Sequence, residues 1–159
     1  MGYGATSDAH HMVQPRADGL EAARAATIAL ANARVAAGEV DFVSAHASST
    51  PIGDIAEARA LALALGGPLT EVPVAATKAL TGHPLGATGA IEAAMCALTI
   101  REGIAPATVN LEQPDDEIAE LLPCVLRQPR RGRYGRVLST SFGFGGLNAA
   151  LVFGAPEQG

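Results

Sequence analysis

The sequence of 159 residues is 48% hydrophobic and 17% charged, with a formal net charge of −5. This balance is typical of a well-packed globular protein, and we expect one domain over residues 1–159. With only 11 lysines and arginines, the chain offers no contiguous basic surface for nucleic acid. Charged residues interrupt the apolar segments and no secretion signal opens the chain, which argues against a membrane partner and indicates a cytoplasmic protein.

Helices and strands alternate in the first part of the chain. The glycines of Met1-Gly2-Tyr3-Gly4 predict a turn, with the strand that should lead into it missing or truncated. Capping residues, proline and glycine set the limits of the next elements. These are a helix from Asp18 to a glycine stop at Gly38, a strand over 40–45, a helix from Thr50-Pro51 to 65 ended by Gly66-Gly67, and a strand over 72–76.

The second part holds an apolar helix followed by strands. Residues 86–101 are apolar on nearly every face, so we expect this helix to be closely packed in the interior. Strands are predicted over 106–111, 124–126, 137–141 and 148–153, the last two forming a hairpin. Its turn, Gly143-Phe144-Gly145-Gly146, lacks the lysine of a phosphate-binding loop and indicates flexible or tightly turned backbone. The whole pattern predicts an α/β fold with a mixed, mostly parallel sheet flanked by helices.

His46 follows directly after the apolar strand over 40–45. In open α/β sheets, ligands bind beyond the carboxyl ends of the strands, so this position favours a functional histidine. A ring that only bonds to the backbone of the following turn fits the position equally well. Position alone therefore leaves both interpretations open.

His83 stands just before the apolar helix and follows Lys78 closely in the chain. A neutral imidazole near a helix amino terminus suits a hydrogen-bond donor. Glu92 lies within that apolar helix, and a buried carboxylate needs a charged or hydrogen-bonding partner. Lys78 is the predicted partner, although a purely structural ion pair would satisfy the same requirement.

Other reactive residue types give weaker signals. His10 and His11 are adjacent, match no metal-ligand spacing and are interpreted as a solvated or loop-bracing pair, so no metal is expected. Cys96 and Cys124 are expected to be reduced, and neither is a candidate nucleophile. An arginine cluster suits either an acidic partner or, more simply, a solvated turn between strands: Arg127, Arg130, Arg131, Arg133 and Arg136.

Three motifs follow one another along the chain. They are Ala45-His46-Ala47-Ser48-Ser49-Thr50-Pro51-Ile52-Gly53-Asp54, Thr77-Lys78-Ala79-Leu80-Thr81-Gly82-His83 and Ser141-Phe142-Gly143-Phe144-Gly145-Gly146-Leu147-Asn148. In that order and at those separations they resemble the second half of the β-ketoacyl carrier-protein synthases of fatty acid and polyketide synthesis. The resemblance covers essentially the whole chain.

The resemblance implies a thiolase-like fold, of which this chain would be the carboxyl-terminal half, and a two-stage reaction. In this family an acyl group moves from a carrier protein to a cysteine in the other half, and malonyl carrier protein is then decarboxylated to an enolate that attacks the acyl thioester. Carried over by motif, His46 and His83 hydrogen-bond the malonyl thioester carbonyl, while Lys78 and Glu92 support the histidine site. No cofactor is implied beyond the phosphopantetheine arm that the carrier protein brings.

The resemblance also assigns residues around the acyl and pantetheine groups. The amide of Phe144 would contribute to an oxyanion hole, and its ring would gate the acyl pocket. Phe142 and Gly143 are assigned to the same substrate site. Ser48 and Thr50 would contact the pantetheine arm, and Thr50 is also a helix cap.

Two features depart from the family pattern. Alanine and serine occupy positions 47 and 48, where the family commonly has glycine and threonine, so a positive φ at Ala47 would strain the backbone. The half that carries the nucleophilic cysteine is not in the sequence, and no acyl-enzyme forms without it. We therefore expect the chain to act with a cysteine-bearing half, in a hetero-oligomer that also binds an acyl carrier protein.

Three functions follow as hypotheses. The first is a part or subunit of a condensing acyltransferase. The second is a non-catalytic partner comparable to the chain-length factors that pair with ketosynthases, and the third is a stand-alone decarboxylase of malonyl thioesters. The presence of both histidines and the lysine favours the first hypothesis over the second.

Overall fold

The apolar segments assemble around one five-stranded sheet in a computed structural model that describes residues 1–156. Its strands are β1 Gly2–Ser7, β2 Phe42–Ser44, β3 Val74–Ala75, β6 Arg136–Gly143 and β7 Leu147–Gly154, while β4 Ile104–Ala105 and β5 Arg130–Arg131 form a separate two-stranded sheet. The α-helices are α1 Leu20–Ala33, α2 Pro51–Leu65, α3 Lys78–Thr81, α4 Thr88–Glu102 and α5 Asp116–Leu121.

The sheet is mixed, as the sequence predicts, with the strand order β1-β7-β6-β2-β3. β2 pairs in parallel with β3 and with β6, whereas the hairpin of β6 and β7 and the outer pair of β7 and β1 are antiparallel. Because parallel strands end at the same edge of a sheet, the segments that follow β2, β3 and β6 emerge together. These segments carry most of the candidate site residues.

Helices cover both faces of the sheet. Neighbouring residues of a strand point to opposite faces. Val43 belongs to the core that contains Leu30 of α1 and Leu61 of α2. Phe42, its neighbour, belongs to a second core that contains Cys96 of α4. The sheet is thus the middle layer of three, and two separate cores hold the layers together.

The prediction of a turn at Met1-Gly2-Tyr3-Gly4 is wrong, because Gly2 begins an edge strand that runs antiparallel to β7. The glycines serve helix packing instead of chain reversal. A Cβ on Gly2 would lie 2.1 Å from the carbonyl oxygen of Ala29, and one on Gly4 would lie 2.0 Å from that of Ala25. Glycine therefore lets β1 lie directly against the backbone of α1.

Local end signals predict α2 correctly but misplace the end of α1. Thr50 is the N-cap of α2, and Gly66 ends that helix with a left-handed φ of 89°. The predicted stop of α1 at Gly38 is wrong, since the helix ends at Ala33. Arg34 takes the left-handed conformation there, with φ 56°, and its N–H bonds back to carbonyls of the last turn. Those backbone hydrogen bonds end the helix without a glycine.

The region between α4 and β6 differs from its prediction. Residues 106–111 are not a strand, and the pairing residues are Ile104–Ala105, which pair with Arg130–Arg131. Val125, in the predicted strand over 124–126, forms only an isolated parallel bridge with Val74. Helix α5, capped by Asp115, was not predicted. Short segments of this kind are placed by contacts with distant residues, which local patterns do not encode.

Helix α4 is buried on one side only, so the prediction of a helix enclosed in the interior is wrong for this chain. The buried residues form a single stripe of Thr88, Glu92, Cys96 and Thr99. The opposite side is apolar and exposed, and Leu98 is 40% exposed. Among residues 1–156, no helix combines the length and the hydropathy needed to cross a bilayer.

The glycine contact between β1 and α1 gives a test of the fold. Gly4→Ala places a methyl group inside the contact distance of a helix carbonyl, so we expect a loss of about 1–3 kcal/mol in the free energy of unfolding. Gly38→Ala is the matched control, because a Cβ at Gly38 meets nothing within 4 Å. Urea denaturation measures both. Equal stabilities of the two variants would contradict the packing role of Gly4.

Candidate active site

Two histidines from separate segments meet beyond the carboxyl end of the sheet. His46 follows β2 and His83 lies in the connection between α3 and α4. Their ring centroids are 5.4 Å apart with an interplanar angle of 84°. Phe142, near the end of β6, stacks edge-on against His46 at 5.6 Å. The structure therefore brings the two predicted histidines into one site.

A buried carboxylate that sequence reasoning missed holds the His46 segment. Glu57 of α2 is 4% exposed. Its two oxygens accept hydrogen bonds from the backbone N–H of His46 at 2.8 Å and of Ala47 at 2.7 Å, and from Thr140 Oγ1 at 2.6 Å. Burial raises the pKa of Glu57, while these three donors favour its charged form. Glu57 could have been predicted from the sequence, because it is a carboxylate within an apolar helix, as Glu92 is.

The backbone that follows His46 is strained. Ala47 has φ 27° and Ser49 has φ 65°, both in the left-handed region that disfavours side chains larger than glycine. Ala47 is the position where the resemblance raised the question of strain. Such strain persists only where the surroundings over-determine the backbone. Here the two hydrogen bonds to Glu57 do so.

The environment of His46 keeps its ring neutral. Burial lowers its pKa from 6.5 to about 4, and the positive charge of Lys78 and the nearby His83 add to the effect. Nδ1 of His46 is buried and has no hydrogen-bond partner in the described part of the chain. An unpaired N–H in such a position costs more than an unpaired lone pair, which favours Nε2 as the protonated nitrogen. His46 is thus a neutral donor at physiological pH.

Lys78 and Glu92 form the ion pair that the sequence predicts. Lys78 Nζ lies 2.5 Å from Glu92 Oε1, and the side chains are 5% and 1% exposed. Burial raises the pKa of Glu92, and the contact with Lys78 opposes that rise. The two buried ions depend on each other, because the loss of one leaves the other as an unpaired buried charge, which destabilises the fold. The positive charge of Lys78 disfavours protonation of His46 and adds to the effect of burial in lowering the pKa of that ring.

His83 has a different hydrogen-bond partner, Thr88, which sequence reasoning also missed. Nδ1 of the exposed His83 ring lies 3.0 Å from Thr88 Oγ1. Gly82, with φ 70°, turns the chain between α3 and His83. No local pattern marks Thr88, because the contact depends on how this turn folds over the start of α4.

A cavity of about 640 Å³ opens beside the two imidazoles. Both histidines line it together with the other predicted binding residues: Ser48, Thr50, Phe142, Gly143 and Phe144. Thr50 makes no side-chain capping hydrogen bond to α2, so its hydroxyl is not committed to the helix. Lys78 and Glu92 are not among the described residues that line the cavity, and they influence it through charge and packing.

The glycine-rich turn is tightly held beside the cavity. Gly145 and Gly146 have φ values of 80° and 73°. A Cβ on Gly146 would lie 2.7 Å from that of Asp8, whose N–H donates to the Gly146 carbonyl. Asn148 Nδ2 donates to Asp8 Oδ1 at 2.7 Å. These contacts fix the turn while leaving Phe144, at its tip, 75% exposed.

The remaining candidates lie outside the site. Cys96 is buried and burial raises its pKa to about 11, so its thiol stays protonated. Nδ1 of His11 accepts the N–H groups of Val13 and Gln14, which fits the predicted loop-bracing role. The described residues contain no group of three potential metal ligands. The arginine cluster precedes or begins β6, at the end of that strand opposite to Gly143.

The site thus places two histidine rings beside one cavity, with the buried charge of Lys78 behind them acting on His46. Neutral N–H donors aimed at an oxygen that gains negative charge stabilise that charge without proton transfer. The arrangement suits a reaction in which a carbonyl oxygen becomes an enolate or oxyanion. It offers no thiol nucleophile, because neither Cys96 nor Cys124 lines the cavity.

Known proteins are similar to this chain in sequence and in fold. Residues 1–112 match the family model described as β-ketoacyl synthase, C-terminal domain. The 3-oxoacyl-(acyl-carrier-protein) synthase 2 of Mycobacterium tuberculosis is 44% identical over 154 residues, which make up 97% of this chain and 36% of that protein.

Solved structures agree with the family match. One is a type II PKS acyl-carrier protein in complex with its ketosynthase, with a TM-score of 0.92 and 33% identity over 98% of this chain and 38% of that chain. Another is the ishigamide ketosynthase/chain length factor, with a TM-score of 0.88 and 34% identity over 98% of this chain and 37% of that chain. The chain spans a little over a third of each of these relatives.

The neutral state of His46 is testable by its own titration. We expect NMR to show a midpoint near the value of about 4 that burial and Lys78 produce. Removing the lysine charge in Lys78→Met should raise the midpoint part of the way toward 6.5, because burial remains the larger cause. Arg24→Met, which removes an exposed charge on α1, should leave it unchanged. A midpoint near 6.5 in the wild type would contradict the interpretation.

The support that Glu57 gives to the loop is testable by stability. Glu57→Gln replaces one acceptor oxygen with an NH₂ group that faces another donor, so we expect a loss of about 1–3 kcal/mol. Glu117→Gln is the control, since Glu117 pairs with Arg59 in a half-exposed position. Such pairs contribute about 0–1 kcal/mol. Denaturant unfolding should separate the two variants, and equal losses would count against the special role of Glu57.

Proposed function

Because the chain belongs to the β-ketoacyl synthase family and matches its carboxyl-terminal domain, we propose that it supplies the decarboxylation site of a β-ketoacyl carrier-protein synthase. The reaction is the decarboxylative condensation of malonyl carrier protein with an acyl thioester, in fatty acid or polyketide synthesis. The observation that carries the proposal is the approach of His46 and His83 to 5.4 Å beside a cavity.

The electron flow of decarboxylation explains why two neutral donors suit this step. When the malonyl group loses carbon dioxide, the electron pair of the broken carbon–carbon bond moves toward the thioester carbonyl. The carbonyl oxygen becomes an enolate oxygen with a negative charge. N–H groups of His46 and His83 that reach this oxygen stabilise the charge as it develops. The lowered pKa of His46 keeps that ring neutral for the task.

The other cavity residues fit the binding of a thioester on a long arm. Ser48 and Thr50 contact the pantetheine arm, which arrives on the carrier protein, so the chain needs no cofactor of its own. Phe142 and Gly143 contribute to the substrate site. The amide of Phe144 contributes to the oxyanion hole for the acyl group, and its exposed ring gates the acyl pocket.

The nucleophilic cysteine must come from a further half, whether joined to this chain or separate. Neither Cys96 nor Cys124 lines the cavity, and the raised pKa of Cys96 keeps that thiol unreactive. The exposed apolar side of α4 supports association with another part, because contiguous apolar surface marks an interface. We propose a hetero-oligomer of this kind, in a reducing compartment such as the cytoplasm, where two free cysteines persist.

Two alternative functions keep specific support. A chain-length-factor-like partner fits the solved ketosynthase and chain length factor complex that the fold resembles. A stand-alone decarboxylase of malonyl thioesters fits a chain that holds the histidines and offers no thiol at the cavity. The two differ in one measurable respect, since only the decarboxylase releases carbon dioxide without the cysteine-bearing half.

The roles of the histidines are testable in the complex with the cysteine-bearing half. His46→Ala and His83→Ala should each lower kcat for carbon dioxide release from malonyl carrier protein by about 10²–10³, the usual cost of one lost donor. Acyl loading of the partner cysteine should stay comparatively intact. His10→Ala, on an exposed residue outside the cavity, is the control.

The outcomes separate the three functions. Equal loss of loading and decarboxylation in both histidine variants would contradict the proposed division of roles. Carbon dioxide release by the wild-type chain alone would favour the stand-alone decarboxylase. A wild-type chain that binds the cysteine-bearing half but restores no activity would favour the structural partner.

A further inference from the structure

The hydroxyl of Thr88 has an unusual place for the first residue of a helix. Thr88 begins α4 and is 5% exposed. The N-cap of that helix is Ala87, whose side chain makes no capping hydrogen bond. The hydrogen-bond partner of its Oγ1 among the described residues is Nδ1 of His83, at 3.0 Å. The hydroxyl therefore serves the histidine and not the helix.

The acceptors available to the Thr88 hydroxyl determine the direction of this hydrogen bond. A hydroxyl has one hydrogen to donate and lone pairs to accept. If Nδ1 of His83 carried the proton and donated it, the buried hydrogen of Thr88 would have no acceptor in the described structure. A buried donor without a partner costs about 1–3 kcal/mol, and orphaned donors are rarer than unfilled acceptors. The hydroxyl therefore donates to a bare Nδ1.

We propose that Thr88 is a positioning residue that fixes His83 in the tautomer with its proton on Nε2. With Nδ1 filled by the hydroxyl hydrogen, the neutral ring carries its own proton on Nε2. The same hydrogen bond restrains the rotation of a ring that is otherwise exposed. His46 reaches the same tautomer by a different route, since its Nδ1 is buried without a partner. Both rings then offer an Nε2–H donor.

The effect of Thr88 on catalysis rests on the proposed function. The tautomer of His83 is independent of that function. Two Nε2–H donors can bond to one developing enolate oxygen, but a ring with a bare Nε2 would repel it. Thr88 does not line the cavity, so it acts through His83 and does not contact substrate. Its loss should therefore lower kcat and leave KM unchanged.

The tautomer can be read directly by long-range ¹H–¹⁵N NMR of histidine-labelled protein at about pH 8, above the ordinary pKa of a free imidazole. In the wild type, Nε2 of His83 should show the signal of a protonated nitrogen and Nδ1 that of an acceptor. Thr88→Ser keeps the hydroxyl and should preserve this pattern. Thr88→Val keeps the shape but removes the hydroxyl, so the two nitrogen shifts should move toward each other as both tautomers become populated.

Each result decides the proposal. A protonated Nδ1 in wild-type His83, or unchanged nitrogen shifts in Thr88→Val, would overturn it. His11 serves as the internal reference, since its Nδ1 accepts two backbone N–H groups outside the cavity and its shifts should be the same in all three proteins. Matching thermal unfolding shows that the valine variant folds. In the complex with the cysteine-bearing half, Thr88→Val should lower kcat for decarboxylation by about two- to tenfold at unchanged KM, with Thr88→Ser restoring it.

The spectra also separate this proposal from the proposed function. Carbon dioxide release by neither the wild type nor any variant would end the catalytic assignment, while the tautomer of His83 would still be read from the same protein. A shifted tautomer ratio with unchanged kcat in an active complex would overturn the positioning role alone.

Discussion

The buried carboxylate of Glu57 is the constraint on which the site depends. A charge that leaves water must find hydrogen-bond donors, and Glu57 finds them on two elements outside its own helix. It bonds to the backbone that follows β2 and to Thr140 on β6. Its position therefore determines the course of the chain at His46 and holds Ala47 at a strained φ of 27°. Without that anchor, the backbone that carries the first imidazole would lose its hydrogen bonds to Glu57 at both His46 and Ala47.

A second buried carboxylate approaches from the opposite face of the sheet. Glu57 belongs to α2, on one face, whereas Glu92 belongs to α4, on the other. Glu92 fixes Lys78, and the lysine charge helps to keep His46 neutral. Glu57 thus determines the position of the His46 backbone, whereas Glu92 acts on the protonation of His46 through Lys78. The proposed stabilisation of an anionic intermediate by neutral donors needs both, because it depends on where the ring lies and on its state of protonation.

The helices pack against the sheet to different extents. Helix α1 packs tightly onto β1 through Gly4. Helix α4 covers the other side with one stripe and leaves an apolar surface uncovered. The family relatives extend well beyond the length that this chain covers. A further part of the proposed assembly would cover this apolar side of α4.

The sequence by itself determined the features whose signals are local. The proline start and glycine end of α2, the histidine after β2 and the need of Glu92 for a partner are all readable from a few neighbouring residues. Only the tertiary structure decided that Gly2 belongs to a strand, that Glu57 holds the loop, that Thr88 contacts His83 and that the two imidazoles meet. These depend on which distant segments pack together. A glycine needed for a turn and one needed for close helix packing look alike in sequence, because both are selected by the absence of a side chain.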